Sequence, residues 1–192
     1  MVTVLLAAGK ASRMGESKLI LPYKDKPILA HALESALAAS ERVIVVTGYH
    51  KESLMPILTS YAGHRLDIVE NPNANLGQFS STLLGVAEVE EGEVFTIAMG
   101  DAPLVTDSHY RSLVPLLSDF DAVRPYCQNI PGHPVLCAES LRKTILALPP
   151  THTMRRLLSD CNVYRYDTDD PAWITDIDTP MAYEQLVNLV SD

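Results

Sequence analysis

Short apolar, β-branched runs alternate with stretches of helical pattern along most of this chain. The runs are Val2–Leu6, Arg42–Thr47, Leu66–Glu70, Val94–Met99, Ala122–Pro125 and Pro134–Cys137. Between several of them lie Ile28–Ala39, Lys51–Tyr61, Ser81–Val89, Asp107–Leu117 and Glu139–Ala147, each long enough for a common helix. Strands that alternate with helices predict βαβ units, right-handed crossovers and a largely parallel sheet. After residue 120 the alternation weakens. There the two neighbouring runs predict an antiparallel excursion, Met154–Ser159 a short helix, and Pro180, a good first-turn residue, a last helix reaching Val190. The expectation is a three-layer α/β/α fold around a mostly parallel sheet.

Composition narrows the class. The chain has 192 residues, 47% hydrophobic and 20% charged, which fits one globular domain over residues 1–192. No apolar stretch reaches the roughly 20 residues of a membrane span, and the opening apolar run is too short for a secretory signal. Cys127, Cys137 and Cys161 lack close metal-ligand spacing and predict reduced thiols in a cytoplasmic protein. A net charge of −9 argues against nucleic acid as a partner. Its distribution is uneven: residues 1–26 carry five bases against two acids, and residues 160–192 carry eight acids and one base, Arg165. A basic head folded against an acidic tail would suit an anionic substrate and a divalent cation, although a solvated acidic surface also accounts for the tail.

The first apolar run breaks into Gly9-Lys10-Ala11-Ser12-Arg13-Met14-Gly15-Glu16-Ser17-Lys18. Glycines let backbone N–H groups approach phosphate oxygens, and Arg and Lys supply charge at a strand end, where open α/β sheets bind ligands. The spacing is neither that of a P-loop nor Gly-x-Gly-x-x-Gly, so the reading is a longer phosphate cradle. A flexible loop whose cations aid solubility is the plainer alternative.

A second buried run, Val94–Met99, delivers Gly100-Asp101-Ala102-Pro103 to the same sheet edge. A carboxylate beside phosphates repels them unless a hard cation such as Mg²⁺ lies between. Asp101 also fits as the cap of the following turn. In the tail, Asp176 and Asp178 lie two apart and share a face of an extended segment; either can be a second metal ligand or serve a helix start. The segment Asn71-Pro72-Asn73-Ala74-Asn75-Leu76-Gly77-Gln78-Phe79-Ser80-Ser81 follows a strand, and its amides and hydroxyls suit a base and ribose or else turn and cap chemistry. Gly132-His133-Pro134 can line a second-substrate side. Arg155-Arg156 can meet an anion or simply cover a helix face.

Taken together, Leu6-Ala7-Ala8-Gly9, Ser12-Arg13-Met14-Gly15 with Lys18, Gly100-Asp101-Ala102-Pro103 and Asp176-Ile177-Asp178-Thr179-Pro180 resemble the signature segments of MobA-like nucleotidyltransferases, in the same order. The resemblance covers nearly the whole chain. Ala7-Ala8-Gly9, Val46-Thr47-Gly48-Tyr49, Asn71-Pro72 with Gly77 and Ser80-Ser81, and Pro131-Gly132-His133-Pro134-Val135-Leu136 are similar to the molybdenum cofactor cytidylyltransferase branch. The resemblance implies a Rossmann-like sheet of the nucleotide-diphospho-sugar transferase type. It implies transfer of a nucleotidyl group to an acceptor phosphate with release of pyrophosphate. Arg13 and Lys18 would then hold the triphosphate, with Ala7, Ala8, Gly9 and Gly15 lending backbone around it. Asp101 and Asp178 would hold Mg²⁺, and Asn71, Gly77, Ser80 and Ser81 would lie near the nucleotide. His133 and Arg155 would face the second substrate. Ala11 stands where many members have serine, and Lys10 adds a charge where a neutral residue is common.

Such a reaction joins two anions, so catalysis is mostly alignment and charge neutralisation, with Arg13, Lys18 and Asp101 as its agents. An acceptor phosphate is already ionised near neutral pH, so no general base is obligatory. The expectation is a Mg²⁺-dependent enzyme joining CMP from CTP to molybdenum-molybdopterin, with a hydroxylase of the xanthine dehydrogenase type as a partner. Guanylyl transfer, a sugar or alditol phosphate as acceptor, and a non-catalytic accessory protein that binds and delivers the cofactor are the alternatives.

Overall fold

The computed structural model describes residues 1–10, 17–63 and 65–188. Strand β1 (Val2–Ala7) is buried along its whole length, as befits a strand covered on both faces. A small hairpin, β2 (Pro22–Tyr23) and β3 (Lys26–Pro27), precedes α1 (Ile28–Ala39), β4 (Arg42–Thr47), α2 (Lys51–Ser60), β5 (Leu66–Glu70), α3 (Gln78–Ala87) and β6 (Phe95–Met99). There follow α4 (Asp107–Leu113), β7 (Ala122–Cys127), β8 (Ile130–Pro131), β9 (Val135–Cys137), α5 (Glu139–Leu146), α6 (Met154–Ser159), β10 (Val163–Thr168) and α7 (Pro180–Asn188).

The main sheet runs β10–β7–β9–β6–β1–β4–β5, with β8 paired to β7. β1 is parallel to both β4 and β6, and its register sets Ala7 beside Thr47 and Leu6 beside Met99. Three strands therefore end together at one edge. β9 is antiparallel to β6 and β7, the expected excursion, whereas β10 is parallel to β7.

Alternation along β1 assigns the layers. Leu5 and Ala7, with Val43 and Val45, pack under α1, α2, α4 and α7. Val2, Val4 and Leu6, with Ile44, Val46 and Ile97, pack under α3, α5 and α6. α1 buries Ile28, Leu29, Ala32, Leu33 and Ala36, one stripe at helical spacing. α3 lies close against the sheet because of Gly85. A Cβ there would stand 2.3 Å from Val4 Cγ1 and 2.9 Å from Val46 Cγ2. At the far end of the strands the buried hydroxyl of Thr3 meets Ser40 Oγ at 2.6 Å and Thr96 Oγ1 at 2.7 Å. This chain ties the end of α1 to β1 and β6.

The main differences from the sequence reading are at α3, α4 and β10. α3 starts at Gln78 instead of Ser81, because Gly77 (φ +106°) makes the break and Ser80 Oγ donates to Gly77 O at 2.7 Å in the first turn. α4 stops at Leu113, and Val114–Leu116 tightens into a 3₁₀ turn around Pro115, which lacks an N–H. β10 is a strand absent from the sequence expectation. It lies at a sheet edge, where Arg165 and Asp167 face solvent and hide the apolar alternation. α7 is described to Asn188, so its expected end at Val190 lies outside the described residues. Among the described residues, no helix is long and apolar enough to cross a membrane.

Candidate active site

The joint end of β1, β4 and β6 opens into a cleft of about 640 Å³. Ala7 and Ala8 are buried in its floor, while Gly9 and Lys10 are exposed at its rim. Arg13 and Gly15, named from the sequence, lie outside the described residues. After Ser17 the short turn Lys18–Ile20 places Lys18 over the strand ends.

Lys18 joins the distant acidic segments. Its Nζ lies 2.5 Å from Asp101 Oδ2, on the turn after β6, and 2.5 Å from Asp178 Oδ1, before α7. Burial opposes the ammonium charge, but Asp101 and then Asp178 outweigh it and hold the Lys18 pKa above the ordinary lysine value. Asp101 is 7% exposed, whereas the Asp178 side chain is half-exposed. Asp176 also lines the cleft. Burial, followed by repulsion from Asp101 and Asp178, holds its carboxyl above the usual aspartate value. Among the described residues no three His, Cys, Asp or Glu side chains form a metal cage. Two carboxylates are nevertheless enough for Mg²⁺, which keeps several waters and takes phosphate oxygens.

The loop after β5 divides between lining and support. Gly77 and Ser81 line the cleft, with Asn75 and Gln78 beside them. Asn71 and Ser80 lie beneath: Asn71 Nδ2 donates to Ser80 Oγ and Ser81 Oγ at 2.9 Å each, and its Oδ1 accepts from Asn73 N at 2.9 Å. Their polar atoms are used in holding the loop. Gln78 and Tyr49, which stand in the sequence segments quoted above without a role of their own, also line the cleft. The turn position of Tyr49 at the end of β4 was the available signal.

His133 lines this cleft and also a second cavity of about 360 Å³, whose walls include Gln78, Arg124 and Arg155. Leu6, Gln78 and His133 are common to both, so the cavities adjoin. Burial, then the charge of Arg124, pushes the His133 pKa down to about 4, so its imidazole is neutral near pH 7. Arg124 has no site role in the sequence reading because it stands inside the strand run Ala122–Pro125, where a single charged residue fits an outward-facing position.

Buried polar atoms are nearly always paired. Among the described residues three side-chain atoms are exceptions: Asp101 Oδ1, Arg124 Nε and His133 Nδ1. All three belong to the walls of these two joined cavities. Unmet hydrogen-bonding capacity is thus concentrated where a ligand would sit, with a carboxylate on one side and a guanidinium on the other.

A family model described as "MobA-like NTP transferase domain" matches residues 3–169. The molybdenum cofactor cytidylyltransferase of Escherichia coli (strain K12) is 31% identical over 177 residues, covering 92% of this chain and 90% of that protein. The purine catabolism protein PucB of Bacillus subtilis (strain 168) is 28% identical over 201 residues, covering 100% and 98%. The crystal structure of Rv0371c from Mycobacterium tuberculosis H37Rv shares the fold, with a TM-score of 0.84, 21% identity and 98% coverage of both chains. A complex of that protein with manganese gives a TM-score of 0.76 at 20% identity, covering 97% of each chain. The chain belongs to the MobA-like NTP transferase family and is an enzyme of the nucleotidyltransferase kind.

Proposed function

We propose that this chain is one cytoplasmic nucleotidyltransferase domain that transfers CMP from CTP to the phosphate of molybdenum-molybdopterin, releasing pyrophosphate. The observation that carries the reading is the meeting of Lys18 with Asp101 and Asp178 in the cleft at the strand ends. Carboxylates drawn from positions 101 and 178 around one cationic centre suit a reaction that brings anions together. The 31% identical Escherichia coli cytidylyltransferase supports cytosine as the base.

Asp101 Oδ1, buried and unpartnered, has the free lone pairs a hard cation needs, so the residues present fit Mg²⁺. Asp101 and Asp178 would hold it, and when bound it would neutralise charge on the triphosphate oxygens. Lys18, with Arg13 from the loop, would hold the phosphates that leave. Gly77 and Ser81 would face the nucleotide, with Asn71 and Ser80 keeping their loop in place. His133 and Arg155 would face the acceptor. Its phosphate, ionised near neutral pH, attacks the α-phosphorus in line, and the bond to the pyrophosphate oxygen breaks. The role of the protein is alignment and neutralisation. The finished dinucleotide would pass to a molybdenum hydroxylase of the xanthine dehydrogenase type, and the unpaired thiols of Cys127, Cys137 and Cys161 suit a reducing compartment.

Pyrophosphate release tests this directly, with molybdenum-molybdopterin and Mg²⁺ present and CTP, GTP, ATP or UTP supplied in turn. Release with CTP well above the others is expected. Release with GTP alone would replace cytosine with guanine, and delivery of cofactor by an Asp101→Ala variant at full rate would favour the accessory-protein reading.

A further inference from the structure

The second cavity has a composition that the nucleotide cleft does not require. Ile97, Val135, Met154 and Leu158 give it apolar walls, and Arg124 and Arg155 stand among them. Among its described lining residues none is acidic. Two guanidinium groups facing one small space are mutually unfavourable. Burial pulls Arg124 below the ordinary arginine value; Tyr126 opposes this, and the charge of Arg155 adds a smaller push in the same direction as burial. The Arg124 guanidinium lies 6.0 Å from the centre of the Tyr126 ring, and its Nε is buried without a partner. His133 at the junction is neutral, so it adds no further positive charge and no negative charge to offset the arginines. Arg155 is exposed at the mouth, whereas Arg124 is partly buried with its Nε unpartnered; a cation held in this way favours an anion, and the arginine fork matches phosphate oxygens two at a time.

We propose that Arg124 and Arg155 form the subsite for the phosphomonoester of the acceptor, whose neutral pterin portion lies along the apolar walls of the same cavity. The proposal rests on the reading of the chain as a nucleotidyltransferase with a phosphate acceptor. It extends that reading by making Arg124 a specificity-determining residue. The shared wall formed by Leu6, Gln78 and His133 puts such an anion next to the triphosphate cleft, where it must attack.

Two measurements test it. In steady-state CMP transfer, Arg124→Met and Arg155→Met should each raise KM for the acceptor by about 10- to 100-fold, the effect of one charged hydrogen-bonding contact. KM for CTP should stay near wild type. Arg124→Lys should recover part of the loss, which a purely structural role of Arg124 would not allow. Unchanged acceptor KM in both methionine variants would overturn the subsite. The second measurement needs no turnover: phenylglyoxal labelling of arginines, read peptide by peptide, with inorganic phosphate as the competing anion. Phosphate should slow labelling of Arg155 several-fold in wild type and not in Arg124→Met. Equal labelling with and without phosphate would overturn the anion site. Protection of Arg155 in a wild-type enzyme that transfers no CMP to molybdenum-molybdopterin would instead refute the acceptor reading and leave the anion subsite standing.

Discussion

The two ends of the central strands treat buried polar groups in opposite ways. Near the start of β1, the hydroxyls of Thr3, Ser40 and Thr96 are buried and satisfy one another at 2.6–2.7 Å. Where β1, β4 and β6 finish, Asp101 leaves a carboxylate oxygen unpaired, and the adjoining cavity leaves atoms of Arg124 and His133 unpaired. A buried polar group without a partner costs about 1–3 kcal/mol. A fold that closes its hydrogen bonds at one end and leaves them open at the other keeps the second end for something else to complete. The contrast predicts that substitutions at the open end harm activity more than stability, and at the closed end the reverse.

The largest effect that can break this comparison is at Asp101. Asp101→Asn keeps the shape, removes the charge opposite Lys18 and weakens any hold on a cation. A loss of about 10³-fold in kcat is expected, near 4 kcal/mol of transition-state stabilisation. The urea midpoint should stay close to wild type, because Lys18 keeps Asp178 as its ionic partner and the amide of asparagine can still accept from Lys18. A large fall in the midpoint with activity retained in the folded fraction would reverse the assignment of the two ends.

Much of this end was legible in the sequence, and the reason differs by residue. Asp101 follows a largely apolar run and precedes Ala102-Pro103, so both its place at a strand end and its sheet edge could be read locally. Its link to Lys18 and Asp178 could not. Those residues lie 83 and 77 positions away in sequence, and only the crossovers that return each strand to the same edge bring them together. Arg124 escaped for a related reason. Within Ala122–Cys127 it fits an outward-facing strand position, and its meaning comes from Arg155 and His133, which other elements supply. β10 was missed because the charges of Arg165 and Asp167 belong to an edge and mask its period. Asn71 and Ser80 show the converse limit: amides and hydroxyls near a ligand site can be read by type, but not whether they face the cleft or brace the loop under it.

His133 gives a smaller effect with a definite pH sign. Its native pKa is about 4, and an unfolded histidine titrates near 6.5. Above pH 6.5 both states are neutral and the residue makes no pH-dependent contribution. As the pH falls from about 6.5 to 4 the unfolded state binds a proton that the native state refuses, so stability declines, by about 2–3 kcal/mol in all. Asp176, held above its ordinary value, acts in the opposite direction, so the comparison must be made between variants. His133→Gln should flatten the acid limb of stability measured by urea unfolding at pH 4 to 7. An unchanged limb would mean that the imidazole is solvated, and would remove one of the three unpaired atoms from the open end.

The finest test uses a residue on the wrong side of the comparison. Asn71 sits at the functional edge, but both ends of its amide are satisfied, by Ser80, Ser81 and Asn73. If pairing, more than position, separates structural from functional polar groups, Asn71→Ala should behave like Thr3→Val at the far end. Each removes the partner of two buried groups, so each should cost about 1–3 kcal/mol in urea unfolding. Kinetics should separate them only slightly. Ser81 lines the cleft and loses its donor from Asn71, so Asn71→Ala should raise KM for the nucleotide a few-fold, while Thr3→Val should leave it alone. A loss of nucleotide affinity beyond about 100-fold, more than 2.7 kcal/mol, with an unchanged urea midpoint would mean that the Asn71 amide turns out of its network to meet the ligand. In that event satisfied hydrogen bonds in the free protein would not mark a structural residue at this edge, and only the three unpaired atoms would continue to distinguish the two ends.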